Sequence, residues 1–161
     1  MKEFHTPTIK RGTIYIFLLI AITIIAIISE SIYRVTSQRI KREKEMELLF
    51  IGKQFRKGLK EYYEWNGLHQ YPSSLEDLVL DSRPLSPISH WRKLYYDPFT
   101  RSQDWGEIRK NNRIVGIYSK STQKPLKQDN FSAENSSFSH SSSYRNWKFT
   151  YLSTQTTTEW R

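Results

Sequence analysis

The sequence predicts an α+β protein in which a long N-terminal helix packs, by its second half, on a small antiparallel sheet. No proline occurs between Pro7 and Pro72, so residues 10–65 can form one helix without a proline kink. Apolar residues recur at helical spacing in the second half of that stretch. Three segments beyond it have the composition of short β-strands. We expect the first half of the helix to span a membrane.

That first half is an uncharged apolar run, residues 13–29. At ~1.5 Å per residue, its 17 residues would cover roughly 25 Å, slightly less than the ~30 Å hydrocarbon core of a bilayer. A cleaved secretory signal is one alternative, but its apolar region is only about 7–15 residues long and is followed by small residues. Here the helical pattern continues past Ile32. We therefore predict a retained transmembrane helix over residues 13–30.

The flanking charges leave the orientation of this helix open. Lys2, Lys10 and Arg11 precede the apolar run, whereas five basic residues follow it between positions 34 and 44. A count of positive charge alone would place the C-terminal side in the cytoplasm. Acidic residues such as Glu43 are interleaved with the second group, which favours the solvated face of a helix over contact with anionic lipid headgroups.

Residues 31–65 continue the helix with one apolar face. Gly52 and Gly58 each cost about 1 kcal/mol relative to alanine in a helix interior, and they either allow close approach of the sheet or loosen the helix. Asn66 and Gly67 end the helix, because glycine adopts the left-handed C-terminal conformation without steric cost. The apolar face is recognised by spacings of three and four residues, and it consists of Leu48, Ile51, Phe55, Leu59 and Tyr62.

Residues 66–152 predict a small α+β head. Ser73 and Glu76 have the spacing of a capping box, which predicts a short helix over residues 73–81. Aromatic and polar residues alternate near the C-terminal end of the head, as is typical of a half-buried strand. The predicted strands are residues 94–96, 113–119 and 147–152. Residues 132–143 have too few apolar side chains to fold alone and predict an exposed loop, and residues 153–161 predict a flexible tail.

The composition argues against several classes of function. Cysteine is absent, which excludes disulfides and thiolate metal sites. The formal charge of +9 is spread over both halves of the chain, so nucleic acid is not expected as a partner. The sequence has no nucleophile elbow, P-loop or dinucleotide-binding motif, and its four histidines lack metal-ligand spacing. We therefore expect a protein that is not an enzyme and holds no cofactor.

The residues before the apolar run resemble a known processing signal. Lys10, Arg11 and Gly12 directly precede an uninterrupted apolar helix, which is similar to the class III signal of type IV pilins and type II secretion pseudopilins. In that family a prepilin peptidase cuts after the glycine, on the cytoplasmic face. The resemblance implies cleavage between Gly12 and Thr13, with residues 1–12 as the leader, and it implies methylation of the new N-terminus.

Later segments extend the resemblance over most of the chain. In order, they are similar to a group of proteobacterial pseudopilin-like proteins associated with type II secretion, which implies a pilin-like fold. Two positions depart from the family pattern: Thr13 replaces the usual phenylalanine or methionine, and Phe17 replaces the glutamate at the fifth mature position. These departures favour a specialised subunit over the bulk subunit of a filament. The matching segments are residues 44–64, 71–79, 94–106, 114–121, 125–127 and 146–151.

The resemblance also implies a location and partners. The chain would be a single-pass protein of the bacterial inner membrane, with its C-terminal head in the periplasm, and would assemble through its N-terminal helix into a pseudopilus. Its partners would be other pseudopilins or pilins, the prepilin peptidase, the inner-membrane secretion platform and membrane lipid. The implied assembly interface of the helix consists of Ile14, Phe17, Leu18, Ala21, Ile24, Ile25 and Ile28.

Calcium is the metal that the resemblance suggests, because the major pseudopilin of type II secretion binds calcium in its C-terminal part. Asp97 and Asp104 are the candidate ligands in this chain. They offer two carboxylates, whereas calcium takes six to eight oxygen ligands. We therefore favour turn chemistry over residues 97–106, in which aspartate bonds the nearby backbone and Pro98 fixes φ.

Two other functions fit the same sequence. One is a minor pilin of a type IV pilus for adhesion or DNA uptake, which the basic charge mildly favours. The other is a signal-anchored periplasmic binding protein that never assembles. Contacts between copies of the N-terminal helix would distinguish an assembling subunit from such a solitary protein.

Overall fold

The computed structural model describes the backbone of residues 11–153 and the side chains of residues 12, 14–27 and 36–153. Within these residues the architecture is α+β, as predicted, with a long helix and a three-stranded antiparallel sheet. The helices are α1 (Arg11–Glu64) and α2 (Glu76–Val79), and the strands are β1 (Gly106–Lys110), β2 (Arg113–Tyr118) and β3 (Phe149–Thr150). Short 3-10 helices cover Trp65–Gly67, Ala133–Phe138 and Tyr144–Asn146.

The chain divides into two compact units between Ile40 and Lys41, inside α1. In the first unit, the large apolar side chains of residues 14–27 are exposed. Among the described residues, the structure contains no helix with the length and apolar character needed to cross a membrane. Of the transmembrane helix predicted over residues 13–30, the side chains of residue 13 and of residues 28–30 lie outside the described residues, and this span stays a prediction. Residues 1–10 of the predicted leader and residues 154–161 of the predicted tail lie outside the described residues.

The predicted apolar face of α1 forms the centre of the core in the second unit. Its five residues are all 5% exposed or less, so the helical spacing in the sequence identified the buried face correctly. Phe55 meets Trp91 edge to face, with ring centroids 5.5 Å apart. Burying an apolar side chain of this size contributes about 1.5–3 kcal/mol. The head covers this face mainly with Leu78, Trp91, Ile114, Ile117, Phe138, Trp147 and Phe149.

Gly52 and Gly58 let the head approach α1 closely. A Cβ atom at Gly52 would lie 2.1 Å from the ring of Phe149, and one at Gly58 would lie 2.6 Å from the carbonyl oxygen of His90. Both distances are shorter than any van der Waals contact between carbon and its neighbours, so only glycine fits at these positions. Of the two roles that the sequence left open for these glycines, close approach is the one that the structure supports.

The sheet places β2 between β1 and β3, and both pairings are antiparallel. The predicted strand over residues 113–119 is confirmed as β2, and the predicted strand over residues 147–152 contains the shorter β3. Ile114 and Ile117 of β2 are fully buried, because β2 lies at the centre of the sheet. The β1–β2 register shifts between Ile108 and Arg109.

The strand predicted over residues 94–96 is wrong, and β1 was not predicted. The carbonyl oxygen of Leu94 accepts a hydrogen bond from Gln103 Nε2, and that of Tyr95 accepts one from Trp105 Nε1. The side chains of Gln103 and Trp105 therefore bind backbone carbonyl oxygens that would otherwise accept hydrogen bonds from a neighbouring strand. The sequence GEIRK of β1 contains one large apolar residue and three charged ones, so this edge strand lacks the apolar composition by which strands were predicted.

The end of α1 follows the prediction, whereas the start of α2 does not. Asn66 and Gly67 have left-handed φ values of 53° and 68°, and they terminate the long helix as expected. The capping pair assigned to Ser73 and Glu76 is wrong, because the side chain that caps this turn belongs to Asp77. Its carboxylate accepts the backbone N–H groups of Ser73 and Ser74, and Ser74 Oγ accepts the N–H of Asp77.

The exposed loop predicted over residues 132–143 is also wrong in part. Ala133–Phe138 forms a 3-10 helix, and the Phe138 side chain is completely buried. Its ring stacks on Trp147 with centroids 5.4 Å apart and planes 6° apart. A serine-rich composition predicted no core contribution, because the partners of this single phenylalanine lie elsewhere in the sequence. Phe138 therefore anchors the segment in the core, and Asn135 adds a hydrogen bond from Arg56.

We expect Gly52→Ala to destabilise the protein, although alanine is the better helix former by about 1 kcal/mol. The added methyl group must displace the fully buried ring of Phe149, and overpacking of this kind costs about 1–3 kcal/mol or more. Urea unfolding of the full-length chain, followed by tryptophan fluorescence, measures the change. The matched control is Lys53→Ala at the adjacent exposed position, which should stay within about 0.5 kcal/mol of wild type. A rise in stability for Gly52→Ala would contradict the close contact.

Candidate functional site: an apolar helix surface

The N-terminal part of α1 exposes apolar side chains around its whole circumference. Every described side chain from Ile14 to Ile20 is exposed, and successive residues of a helix are turned by about 100°, so seven of them point in all directions. The exposed fraction of Phe17 is 69% and that of Ile25 is 63%. A helix that is apolar on all sides is stable only when its surroundings are apolar as well. This surface therefore requires a cover.

The Thr23 hydroxyl within this surface is suited to such a cover. Thr23 Oγ1 donates a hydrogen bond to the backbone carbonyl oxygen of Leu19 at 2.8 Å, one turn earlier in the same helix. Its hydroxyl proton thus has a partner without water. A polar group that is satisfied within its own helix costs little when water is removed. No charged residue occurs between Thr13 and Ser29 in the sequence.

The predicted assembly interface lies within this exposed surface, but the surface is wider than predicted. Ile14, Phe17, Leu18, Ala21, Ile24 and Ile25 are exposed. Gly12 lies within α1, and a Cβ atom there would have open space beyond the helix's own backbone. The side chains of Thr13 and Ile28 lie outside the described residues. The predicted interface followed one face of the helix and left out other exposed apolar residues of the same predicted run, namely Tyr15, Ile16, Leu19, Ile20, Ile22 and Ile27.

In the second unit, a buried carboxylate joins α1 to the loop before the last strand. Glu45 is 3% exposed, and its Oε1 accepts hydrogen bonds from the N–H groups of Leu126 and Lys127 and from the hydroxyl of Tyr144. Burial, together with the hydrogen bond to Glu45, raises the pKa of Tyr144 far above its ordinary value, so this hydroxyl remains a donor. Sequence reasoning placed Glu45 on a solvated face. The signal it missed is that Glu45 precedes Leu48 by three residues and extends the buried face.

A second polar cluster holds the C-terminal end of α1. The guanidinium of Arg83 makes a two-pronged ion pair with the buried carboxylate of Asp81, at 2.6–2.8 Å, and donates to the carbonyl oxygen of Tyr62 at 3.0 Å. It also lies 3.5 Å from the centre of the Tyr62 ring. His90 Nε2 is 3.0 Å from Asp81 Oδ2. Because carbonyls in the last turn of a helix lack helical partners, Arg83 both satisfies one of them and fixes the following loop.

The charge state of Asp81 depends on this cluster. Burial of the carboxyl raises its pKa, but hydrogen bonds from Arg83 and His90 outweigh burial and lower the pKa to about 2, from an ordinary value of 3.8. A carboxyl whose pKa falls on folding stabilises the folded state when it is ionised. That contribution is complete above pH 3.8 and is lost as the pH falls towards 2.

The two calcium candidates are each held by other partners. Asp97 is fully buried, and its carboxylate accepts hydrogen bonds from the N–H of Phe99 and from the hydroxyl of Ser119. Asp104 pairs with the ammonium of Lys120 at 2.5 Å. The bond from the Phe99 N–H to Asp97 is the turn chemistry that the sequence analysis favoured, whereas Ser119 and Lys120 reach the two carboxylates from distant positions in the sequence. In the described part of the chain, no group of three or more histidine, cysteine or acidic side chains is placed to hold a metal ion.

We expect Asp81→Asn to flatten the dependence of stability on pH between about 4 and 2. A pKa lowered from 3.8 to about 2 corresponds to about 2 kcal/mol of stability that the wild type loses over this range. Urea midpoints measured from pH 2 to pH 6 on the full-length chain give the slope. Glu61→Gln, which removes an exposed carboxylate from α1, is the control and should keep the wild-type slope. An unchanged slope in Asp81→Asn would show that Asp81 does not carry this dependence.

The first unit thus exposes an uncovered apolar helix surface, which can bury its side chains against an apolar cover. In the second unit, aromatic packing and two polar contacts fix the head to α1. Comparisons with protein-family models, with curated proteins and with solved structures found no match to this chain.

Proposed function

We propose that the chain is a structural pseudopilin subunit of a type II secretion system. It inserts in the bacterial inner membrane by its N-terminal helix and assembles through that helix into a periplasmic pseudopilus. The observation that carries the proposal is the apolar surface around the whole circumference of α1 between Ile14 and Ile27. A subunit that leaves the bilayer for a bundle of sister helices needs such a surface, because it must be covered in both places.

The free energy gained by covering these apolar side chains supports a cover of this kind. Eleven large apolar side chains in this segment are 47–69% exposed. Full burial of such a side chain contributes about 1.5–3 kcal/mol, so covering the exposed half of each would contribute on the order of 10 kcal/mol in total. Lipid and packed apolar helices are similar surroundings for these side chains, and transfer from one to the other is correspondingly inexpensive.

The position of the leader motif supports the same proposal. Lys10, Arg11 and Gly12 directly precede the apolar run, which is where the cleavage site of a prepilin leader lies. Because glycine has no side chain, the bond between Gly12 and Thr13 can enter a narrow peptidase site in extended form. Phe17 at the fifth mature position favours a specialised subunit, since it offers no carboxylate to the amine of a neighbouring subunit.

The head contributes shape to the subunit. Aromatic residues fill most of its core. Two buried carboxylates connect it to α1: Glu45 of α1 accepts hydrogen bonds from the head, and Asp81 of the head holds Arg83 against the Tyr62 carbonyl. In this proposal the second unit is the part of the subunit displayed on the pseudopilus surface. The force for assembly would come from a separate ATPase.

We expect the mature protein to begin at Thr13 when the chain is expressed with a prepilin peptidase, and to keep residues 1–12 without that enzyme. Gly12→Val should block processing, because a branched side chain cannot enter an active site that accepts glycine. N-terminal sequencing of membrane fractions gives the result. Thr6→Ala, also in the leader, is the control and should be processed normally. A mature chain that begins elsewhere, or normal processing of Gly12→Val, would contradict the proposal.

We also expect single cysteines on α1 to cross-link the chain to copies of itself or to other pilin-like subunits. The protein has no native cysteine, so each disulfide reports one position. Phe17→Cys and Leu18→Cys should give cross-linked species in membranes under mild oxidation, because both side chains are exposed. Glu76→Cys, exposed on the head, is the control for random collision. Equal and low cross-linking at all three positions would support a solitary signal-anchored protein instead.

A further inference from the structure

The second unit contains a basic groove that the proposed assembly through the N-terminal helix does not use. It lies between α1 and the end of the chain's last strand and has a volume of about 530 Å³. Its basic wall consists of Lys53, Arg56, Lys57 and Lys60, and its opposite wall includes Thr150 and Leu152. These six residues define the basic groove.

The basic wall forms a row along one side of α1. Positions 53, 57 and 60 are four and three residues apart, so their side chains lie on the same face and cover about 10 Å of helix length. Among the described residues, no hydrogen bond or ion pair engages Lys53. The ion pairs of Lys57 with Glu61 and of Lys60 with Glu64 are long, at 3.8 and 4.0 Å, and exposed. Exposed pairs of this kind contribute little, so the row retains its attraction for a stronger anionic partner.

Arg56 forms the floor of the basic groove and is held in place. Its guanidinium donates to Asn135 Oδ1 at 2.6 Å and to the carbonyl oxygen of Lys148 at 3.3 Å, and it lies over the rings of Phe138 and Phe149. Only 14% of its side chain is exposed. Glu134, the acidic residue at the rim, is 3.9 Å away, and its side chain is 71% exposed. The groove therefore has a fixed cation at its base and a surplus of positive charge along one wall.

The other wall presents an open strand edge. Tyr151 donates its N–H to the carbonyl oxygen of Val115 in β2, so Phe149 and Tyr151 direct their backbone groups towards β2. Because alternate residues of a strand face opposite sides, Thr150 directs its N–H and carbonyl groups away from β2. The carbonyl of Lys148, on this same side, is the one that Arg56 contacts. An edge strand with outward backbone groups can accept another extended chain.

We propose that the basic groove binds an extended acidic segment of a partner protein, which adds to the edge of β3 at Thr150 and sets its carboxylates against Lys53, Lys57 and Lys60. Strand addition supplies backbone hydrogen bonds, and alternate side chains of the added segment face the groove. Leu152 is 57% exposed at the end of the groove and provides an apolar contact for the same segment. The segment thus carries acidic residues at the alternate positions that face the lysines, and an apolar residue where it meets Leu152.

Charge selects this occupant over two others. A second copy of the chain is disfavoured as the occupant because its longer described strands are not acidic: β1 carries Glu107 against Arg109 and Lys110, and β2 carries Arg113 alone. An anionic lipid headgroup would satisfy the lysines but would leave the N–H and carbonyl of Thr150 unused. An acidic peptide backbone satisfies both walls. The groove lies wholly within the unit beyond Ile40, so the proposal is independent of membrane insertion and of assembly through α1.

The test uses full-length protein in non-ionic detergent and a fluorescein-labelled seven-residue peptide that alternates glutamate and valine. We expect saturable binding by fluorescence anisotropy and at least a tenfold loss of affinity in Lys53→Glu/Lys57→Glu. The matched control, Lys93→Glu/Lys124→Glu, makes the same change of net charge at exposed sites outside the groove and should bind within twofold of wild type. A peptide that alternates lysine and valine should recover binding to the Lys53→Glu/Lys57→Glu variant, which also shows that this variant is folded.

Two further probes test the strand addition and the choice of occupant. Two forms of the peptide are methylated at every second backbone nitrogen, one at the odd and one at the even positions. Methylation removes hydrogen-bond donors without changing the charge, so the form that loses the donors facing β3 should bind at least tenfold more weakly. Equal affinity for both methylated forms would overturn addition to β3. Equal loss in the two charge-reversed variants would overturn the groove as the site. Binding to phosphatidylglycerol vesicles, or self-association, that depends on Lys53 and Lys57 while the acidic peptide does not bind would overturn the peptide as occupant.

Discussion

The close packing of α1 against the head at Gly52 and Gly58 is the constraint on which the rest of the second unit depends. Only where no side chain intervenes can Phe149 and the backbone of His90 lie against the helix. Phe149 then brings β3 to the sheet, and His90 brings the Asp81–Arg83 pair to the last turn of α1. Two residues without side chains therefore determine which elements of the head meet the helix, and where.

Helical periodicity predicted this arrangement well for α1 and poorly for the head. The buried face from Leu48 to Tyr62 follows from spacing alone, because a helix repeats its environment every three to four residues. The position of Phe138 does not follow from local composition, since its partners are distant in sequence. The same limit applies to residues 94–96, whose strand-like composition was overridden by hydrogen bonds from Gln103 and Trp105. Tertiary contacts decided these cases.

The candidate site, too, was predicted only in part from the sequence. The uncharged run in the sequence located the apolar surface, but the sequence alone favoured one face of it, whereas the described side chains are exposed on every face. Glu45 and Arg83 were not identified, because a charged residue near other charged residues is typical of a solvated surface. Their roles depend on groups that reach them from the loops, such as the Tyr144 hydroxyl for Glu45. The basic groove could not be predicted either, because the sequence does not show that the edge of β3 lies beside the lysines of α1.

The two polar contacts on α1 have a mechanical consequence. Glu45 and the Tyr62 carbonyl are 17 residues apart, which corresponds to about 26 Å along a helix. A pull along the helix axis would load both contacts and the apolar packing between them simultaneously, in shear, so they would have to break together. A sideways pull on the same helix would peel them one after another. The head is therefore built to withstand tension directed along α1.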